Sequence, residues 1–72
     1  MLTYKKISEN NGVKRYEYYP SGNTEKPGVV EYDKNGKATL VKESEADMKM
    51  YFALHALNGI DTTKNDGTVA WH

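Results

Sequence analysis

The sequence predicts a small α+β domain. An antiparallel sheet of four to five short strands carries one helix packed on one face, in the order β-β-β-β-α-β. Three observations point there. Aromatic and β-branched residues alternate with polar ones in runs of strand length. Asn11-Gly12 and Lys34-Asn35-Gly36 fall between such runs and suit the positive φ of tight hairpin turns. One stretch, Ser44 to Gly59, carries the start and stop pattern of a helix. The 72 residues form a single domain over 1–72.

The first strand is read from Leu2 to Ile7, with Leu2 and Tyr4 on one face and Thr3 and Lys5 on the other. Ser8 to Gly12 is the turn that follows. Val13 to Tyr19 is the strongest strand. Its period of two puts Tyr16 and Tyr18 on one face, and Val13, Arg15, Glu17 and Tyr19 on the other. Pro20 to Gly28 holds two prolines and two glycines in nine residues, which excludes regular structure. Val29 to Asp33 and Lys37 to Lys42 form the next hairpin, with Ala38 and Leu40 sharing a face. The helix is expected from about Glu45 to Asn58. Ser44 is its N-cap and Asp47 completes a variant capping box. Glu43, Glu45 and Asp47 place negative charge at the positive end of the helix dipole. Gly59 at C′ and the apolar Ile60 supply the stop. After a polar loop from Asp61 to Gly67, Thr68 to Trp71 is expected to return to the sheet as a last strand.

Composition excludes several function classes. Ten Lys and Arg balance ten Asp and Glu, so the net charge is zero, which argues against a dedicated nucleic-acid binder. The absence of cysteine excludes a disulfide framework, thiol catalysis and thiolate metal sites. No apolar run reaches the roughly 18 residues of a membrane span. No secretory leader pattern opens the chain, so a cytoplasmic location is expected. Hydrophobic residues make up 38%, enough for one modest core. A chain of this size buries only about 60% of the surface exposed when unfolded. Such chains often gain stability by oligomerising.

The helix carries the most information about partners. At 100° per residue, Ala46, Met50, Ala53, Leu54 and Leu57 gather into a stripe for the sheet. Met48, Tyr51, Phe52 and His55 fall on roughly the opposite side, where an isolated solvent face would carry Lys, Glu and Gln. This second stripe is either covered by loops and the C-terminal segment, with Trp71 and Ile60, or it is a contact surface for a partner. A small-molecule pocket is a third reading. The six tyrosines serve sheet packing or a binding surface. Tyr16, Tyr18, Arg15 and Trp71 are the secondary candidates for such a surface. A base-stacking platform beside Lys5, Lys6, Lys14 and Arg15 is diluted by Glu9 and Glu17.

Catalytic and metal chemistry find little purchase. No phosphate-binding glycine motif or His-Glu-x-x-His pair is present. His55 has Asn58 and Gly59 at i+3 and i+4, so no metal-ligand partner lies one turn on. Glu31, Asp33, Asn35 and Gly36 match the first positions of a calcium-binding loop, but Lys42 stands where the bidentate glutamate belongs. Ser8, Ser21 and Ser44 have no spacing that favours a catalytic triad. No cofactor, no metal and no enzymatic activity are expected.

Three segments together carry a resemblance: Tyr18-Tyr19-Pro20-Ser21-Gly22-Asn23, Ser44 to His55 with its Tyr and His, and Gly67-Thr68-Val69-Ala70-Trp71-His72. They resemble a group of short uncharacterised proteins of Gram-positive bacteria and their mobile elements and phages. That group combines a strand ending in Tyr-Tyr-Pro-x-Gly, a helix with Tyr and His-Ala, and a final Gly-x-x-Ala-Trp followed by Tyr. Here His72 replaces that Tyr, and an N-terminal hairpin arm is added. The resemblance implies no activity. It implies that Ala70-Trp71 belongs to the native structure, and that a prophage or accessory role fits.

The expected function is therefore a non-catalytic protein-interaction module. It would form a homodimer, bind an unidentified protein and modulate a host system, with Met48, Tyr51, Phe52 and His55 as the contact surface. The alternative is an oligomer that binds or sequesters a nucleotide-like molecule through its tyrosines and Lys5, Lys6, Lys14 or Arg15.

Overall fold

A computed structural model describes residues 1–20, 24–47 and 51–70. Five antiparallel strands and one helix build the α+β architecture expected: β1 (Leu2–Asn10), β2 (Val13–Pro20), β3 (Gly28–Tyr32), β4 (Ala38–Lys42), α1 (Tyr51–Gly59) and β5 (Asp66–Val69). The spatial order is β4-β3-β2-β1-β5, so the last strand closes against the first.

Turn chemistry sets the two hairpins. Asn11 at φ 54° and Gly12 at φ 82° make a two-residue turn, and Asn10 pairs directly with Val13. With both central residues at positive φ, the twist of that turn matches the right-handed twist of the strands it joins. β1 therefore runs three residues past the Ile7 expected as its end. Between β3 and β4, Gly36 has φ 84°. The Asp33 carboxylate accepts the Asn35 and Lys37 N–H groups at 2.8 and 2.9 Å. The carboxylate thus serves a turn, which accounts for the calcium-loop likeness without an ion. Two bulges interrupt the ladders, at Ile7 in β1 and at Val41 in β4. Each leaves a β-branched residue exposed, Ile7 beyond the stretch of β1 that pairs with β5 and Val41 on the edge strand β4, where bulges help to blunt a sheet edge.

Alternation along the strands puts Leu2, Tyr4, Tyr16, Tyr18, Val30 and Tyr32 on the helix side, where all are buried. Tyr4 packs edge-to-face on Tyr16 with ring centroids 5.8 Å apart, and Tyr16 on Tyr32 at 6.0 Å. This geometry suits the aromatic quadrupole. Two of these rings lie over a glycine directly across the ladder. Tyr18 pairs with Gly28, and Tyr4 with Gly67. A Cβ on Gly28 would sit 2.2 Å from the Tyr18 ring, and one on Gly67 would sit 2.5 Å from the Tyr4 hydroxyl. Each ring thus fills the space its cross-strand glycine leaves open.

The helix follows from this aromatic layer. Four phenol rings occupy most of the space above the sheet, so only small residues fit between. Ala53 and Ala56 are the fully buried helix residues, and Ile60 closes the same face just beyond the C-terminus. Phe52 and Leu57 flank them, partly buried. Leu54, expected in the core stripe, is instead 53% exposed. Ala46 lies in the turn before the helix, and Met50 is outside the described residues.

The helix ends also differ from expectation. Ser44 does not cap α1. Its hydroxyl accepts the Ala46 N–H at 3.0 Å and donates to the Lys26 carbonyl, closing the preceding turn. Asp47 takes the capping role, its two carboxylate oxygens accepting the Phe52 and Ala53 N–H groups at 2.8 and 2.9 Å. Gly59 is the last helical residue and has no left-handed φ. A Cβ there would meet the Val69 side chain at 2.5 Å, so glycine lets the helix end approach β5. β5 starts at Asp66, before the expected Thr68, because Gly67 must pair with Tyr4; Trp71 lies outside the described residues.

Gly28→Ala is expected to destabilise the fold by about 2–3 kcal/mol, the cost of overpacking against a ring that cannot move. Chemical denaturation of the variant beside the parent measures it.

Candidate functional site

The outward side of α1 is set by how its inward side is anchored. Hydroxyls of the core tyrosines bond to the helix and to the loops that flank it. Tyr32 donates to the carbonyls of Ala56 and Leu57 at 2.8 and 3.2 Å, gripping the last turn. Tyr18 donates to Asp47 at 3.2 Å and accepts the Ser44 N–H at 3.0 Å, so the cap itself is tied to the sheet. Tyr16 donates to the Lys64 carbonyl at 2.9 Å, and Tyr4 accepts the Asp61 N–H at 3.3 Å. Among the described residues, every buried side-chain nitrogen or oxygen has a partner. The rotation of the helix is therefore fixed at both ends.

That rotation turns Tyr51 and Leu54, one turn apart, away from the sheet, 49% and 53% exposed. The Tyr51 ring meets His55 edge-on at 5.0 Å and Phe52 at 5.4 Å. Asn58 folds its amide back on the Leu54 carbonyl at 2.9 Å and extends the same side with a polar margin. The result is a small apolar and aromatic patch with a histidine at its edge.

The residues expected to make the contact surface separate. Tyr51 is exposed, and His55 is half-buried beside it. Phe52 is half-buried and packs against the core, so it is shared between core and patch. Met48 and Trp71 lie outside the described residues. Tyr16 and Tyr18 are fully buried, which corrects their place among the surface candidates: both rings belong to the core. Leu54 is the residue that sequence periodicity missed. Its visible trace is the Ala53–Ala56 pair, which marks the inward face once the sheet is known to be tyrosine-rich.

Arg15, Lys6 and Lys14 are occupied. Arg15 forks onto one oxygen of Glu31 at 2.7 and 3.2 Å. Lys6 holds Glu9 at 2.6 Å, and Lys14 donates to the Thr62 carbonyl at 2.7 Å. Lys5 lies between Glu17 and Asp66 on its neighbouring strands. On the sheet face opposite the helix, Arg15 with Glu31 and Lys5 with Glu17 and Asp66 place charges of opposite sign across from each other. Tyr19 on that face donates to Glu17 at 2.7 Å. Among the described residues, no group of His, Asp and Glu converges as a metal ligand set. No helix among them is long and apolar enough to cross a membrane.

No known protein family, curated protein or solved structure matches the chain.

Burial raises the phenols of Tyr16, Tyr18 and Tyr32. Tyr32 is pushed up to about 12, with Tyr16 and Tyr4 adding to the shift. Tyr18 also reaches about 12; the neighbouring Asp47 adds to the effect of burial and the Ser44 N–H opposes it. A phenol whose folded value lies above its unfolded one stabilises the fold fully below the unfolded value. Stability should therefore hold up to pH 10, the ordinary phenol value, and fall as pH rises through about 12. Denaturation midpoints across that window, followed with phenolate absorbance, measure this loss.

Proposed function

We propose that this chain is a small non-catalytic protein-interaction module that self-associates and docks on another protein through the outward side of α1. The observation that carries the reading is the pair Tyr51 and Leu54, half-exposed and one turn apart on a helix whose other side is already filled by Ala53 and Ala56. The core has no further use for them, and the ring contacts among Tyr51, Phe52 and His55 hold the aromatic part of the patch in place. A rigid aromatic anchor gives contact area at low entropic cost. Zero net charge leaves no long-range repulsion between copies. The wider role proposed, modulation of a host system by an accessory protein of a mobile element, rests on the sequence resemblance.

Leu54→Glu is the direct test, because Leu54 is exposed while Phe52 also serves the core. The variant should keep its stability to within about 0.5 kcal/mol, as exposed substitutions do. Light scattering after size exclusion, over a wide concentration range, should give a parent mass above one chain and a variant mass of one chain. A parent of single-chain mass at every concentration contradicts self-association. An assembly that Leu54→Glu leaves intact places the contact elsewhere.

A further inference from the structure

We propose that Asn11 is a site of spontaneous deamidation selected by the fold from among three chemically similar Asn-Gly pairs: Asn11-Gly12, Asn35-Gly36 and Asn58-Gly59. The reaction needs no enzyme. The Gly backbone nitrogen gives its proton to a solvent base and attacks the Asn side-chain carbonyl carbon. A new C–N bond closes a five-membered imide, the old bond to the side-chain nitrogen breaks, and ammonia leaves carrying the returned proton. Water then opens the imide at either carbonyl. The product is aspartate, or isoaspartate with the main chain rerouted through the side chain. The sum is amide plus water giving acid plus ammonia. Glycine favours the attack because no Cβ crowds its nitrogen.

The structure separates the three sites. At Asn58 the side-chain amide donates to the Leu54 carbonyl at 2.9 Å, and the pair lies inside α1. Gly59 is also backed by the Val69 side chain, which limits movement of the backbone that must attack. At Asn35 the attacking nitrogen is engaged: the Gly36 N–H donates to the Asp33 carbonyl at 2.9 Å. The Asp33 carboxylate clamps the same turn through Asn35 and Lys37. Removing the proton from a hydrogen-bonded N–H first requires that bond to break.

Asn11 lacks the hydrogen-bond restraints, and Gly12 is backed less closely than Gly59: a Cβ there would meet the Lys34 side chain at 3.0 Å, against 2.5 Å to Val69. Asn11 and Gly12 are both exposed at the tip of the β1–β2 hairpin. Among the described residues, neither the Gly12 N–H nor the Asn11 amide has a hydrogen-bond partner. Asn11 sits at φ 54°, which asparagine adopts readily in a tight hairpin turn, so the turn itself does not hold the residue in place through its side chain. Hairpin tips also open at low free energy. Isoaspartate there would lengthen the two-residue turn and break the Asn10–Val13 register that begins β2.

The test is a time course of the folded protein at mildly alkaline pH, with peptide mass mapping that localises each NH2-to-OH exchange. Conversion at Asn11 should run several-fold faster than at Asn35 or Asn58. In concentrated denaturant the three rates should converge, because the restraints are gone. Faster conversion at Asn35 or Asn58 in the folded protein overturns the proposal. So does an Asn11 that stays intact while the unfolded chain converts, or an Asn11 preference of the same size in denaturant.

Discussion

A phenol can be buried only if its hydroxyl finds a partner, and this small fold buries four. An unpaired hydroxyl in the core would cost about 1–3 kcal/mol, a large share of the stability of so short a chain. The partners of Tyr4, Tyr16, Tyr18 and Tyr32 are not on the sheet. They are the helix cap, the last helical turn and the loop that leads into β5. Satisfying the tyrosines therefore fixes where everything outside the sheet must go. The hydrophobic payload and the polar tether are the same side chain, which suits a chain too short to build them separately.

The site is a consequence of that constraint. Large rings on the sheet require small residues on the helix, and Ala53 and Ala56 meet the requirement. With those positions turned inward, Tyr51 and Leu54 turn outward, Phe52 and Leu57 take the flanks, and His55 comes to rest beside the Tyr51 ring. The opposite sheet face answers to a different rule. Its cross-strand charges alternate, with Arg15 on Glu31 and Lys5 between Glu17 and Asp66, so both signs are interspersed on it. Ile7 and Val41 are exposed on the strands as well, but each stands alone at a bulge, whereas Tyr51 and Leu54 lie one turn apart with Phe52 and His55 beside the Tyr51 ring; the proposed contact surface is therefore placed on the helix side.

Much of this was legible in the residues. The hairpin at Asn11-Gly12, the turn at Asn35-Gly36 and the shared face of Tyr16 and Tyr18 follow from turn chemistry and a period of two, though not that this face is the buried one. Three features were not legible, and all are matters of packing. The rotation of α1 depends on ring volume contributed by strands far away in sequence, so a helical wheel that ranks Leu above Ala turned Leu54 inward. The cap moved from Ser44 to Asp47 because Ser44 is drawn into bonds with Lys26 and Tyr18, which local sequence does not reveal. The glycines mislead for the same reason. Gly59 reads as a helix stop, but its purpose is close approach to Val69.

The tyrosine hydroxyls, and not the rings alone, fix the helix on the sheet. The most direct measurement is the urea unfolding of Tyr18→Phe, which keeps the ring over Gly28 and deletes only the oxygen. The account predicts a loss of about 1–3 kcal/mol, since the buried Ser44 N–H is left without its acceptor and Asp47 without its tether. Unchanged stability in the Phe variant would contradict it, and would make the rings alone sufficient to hold the helix.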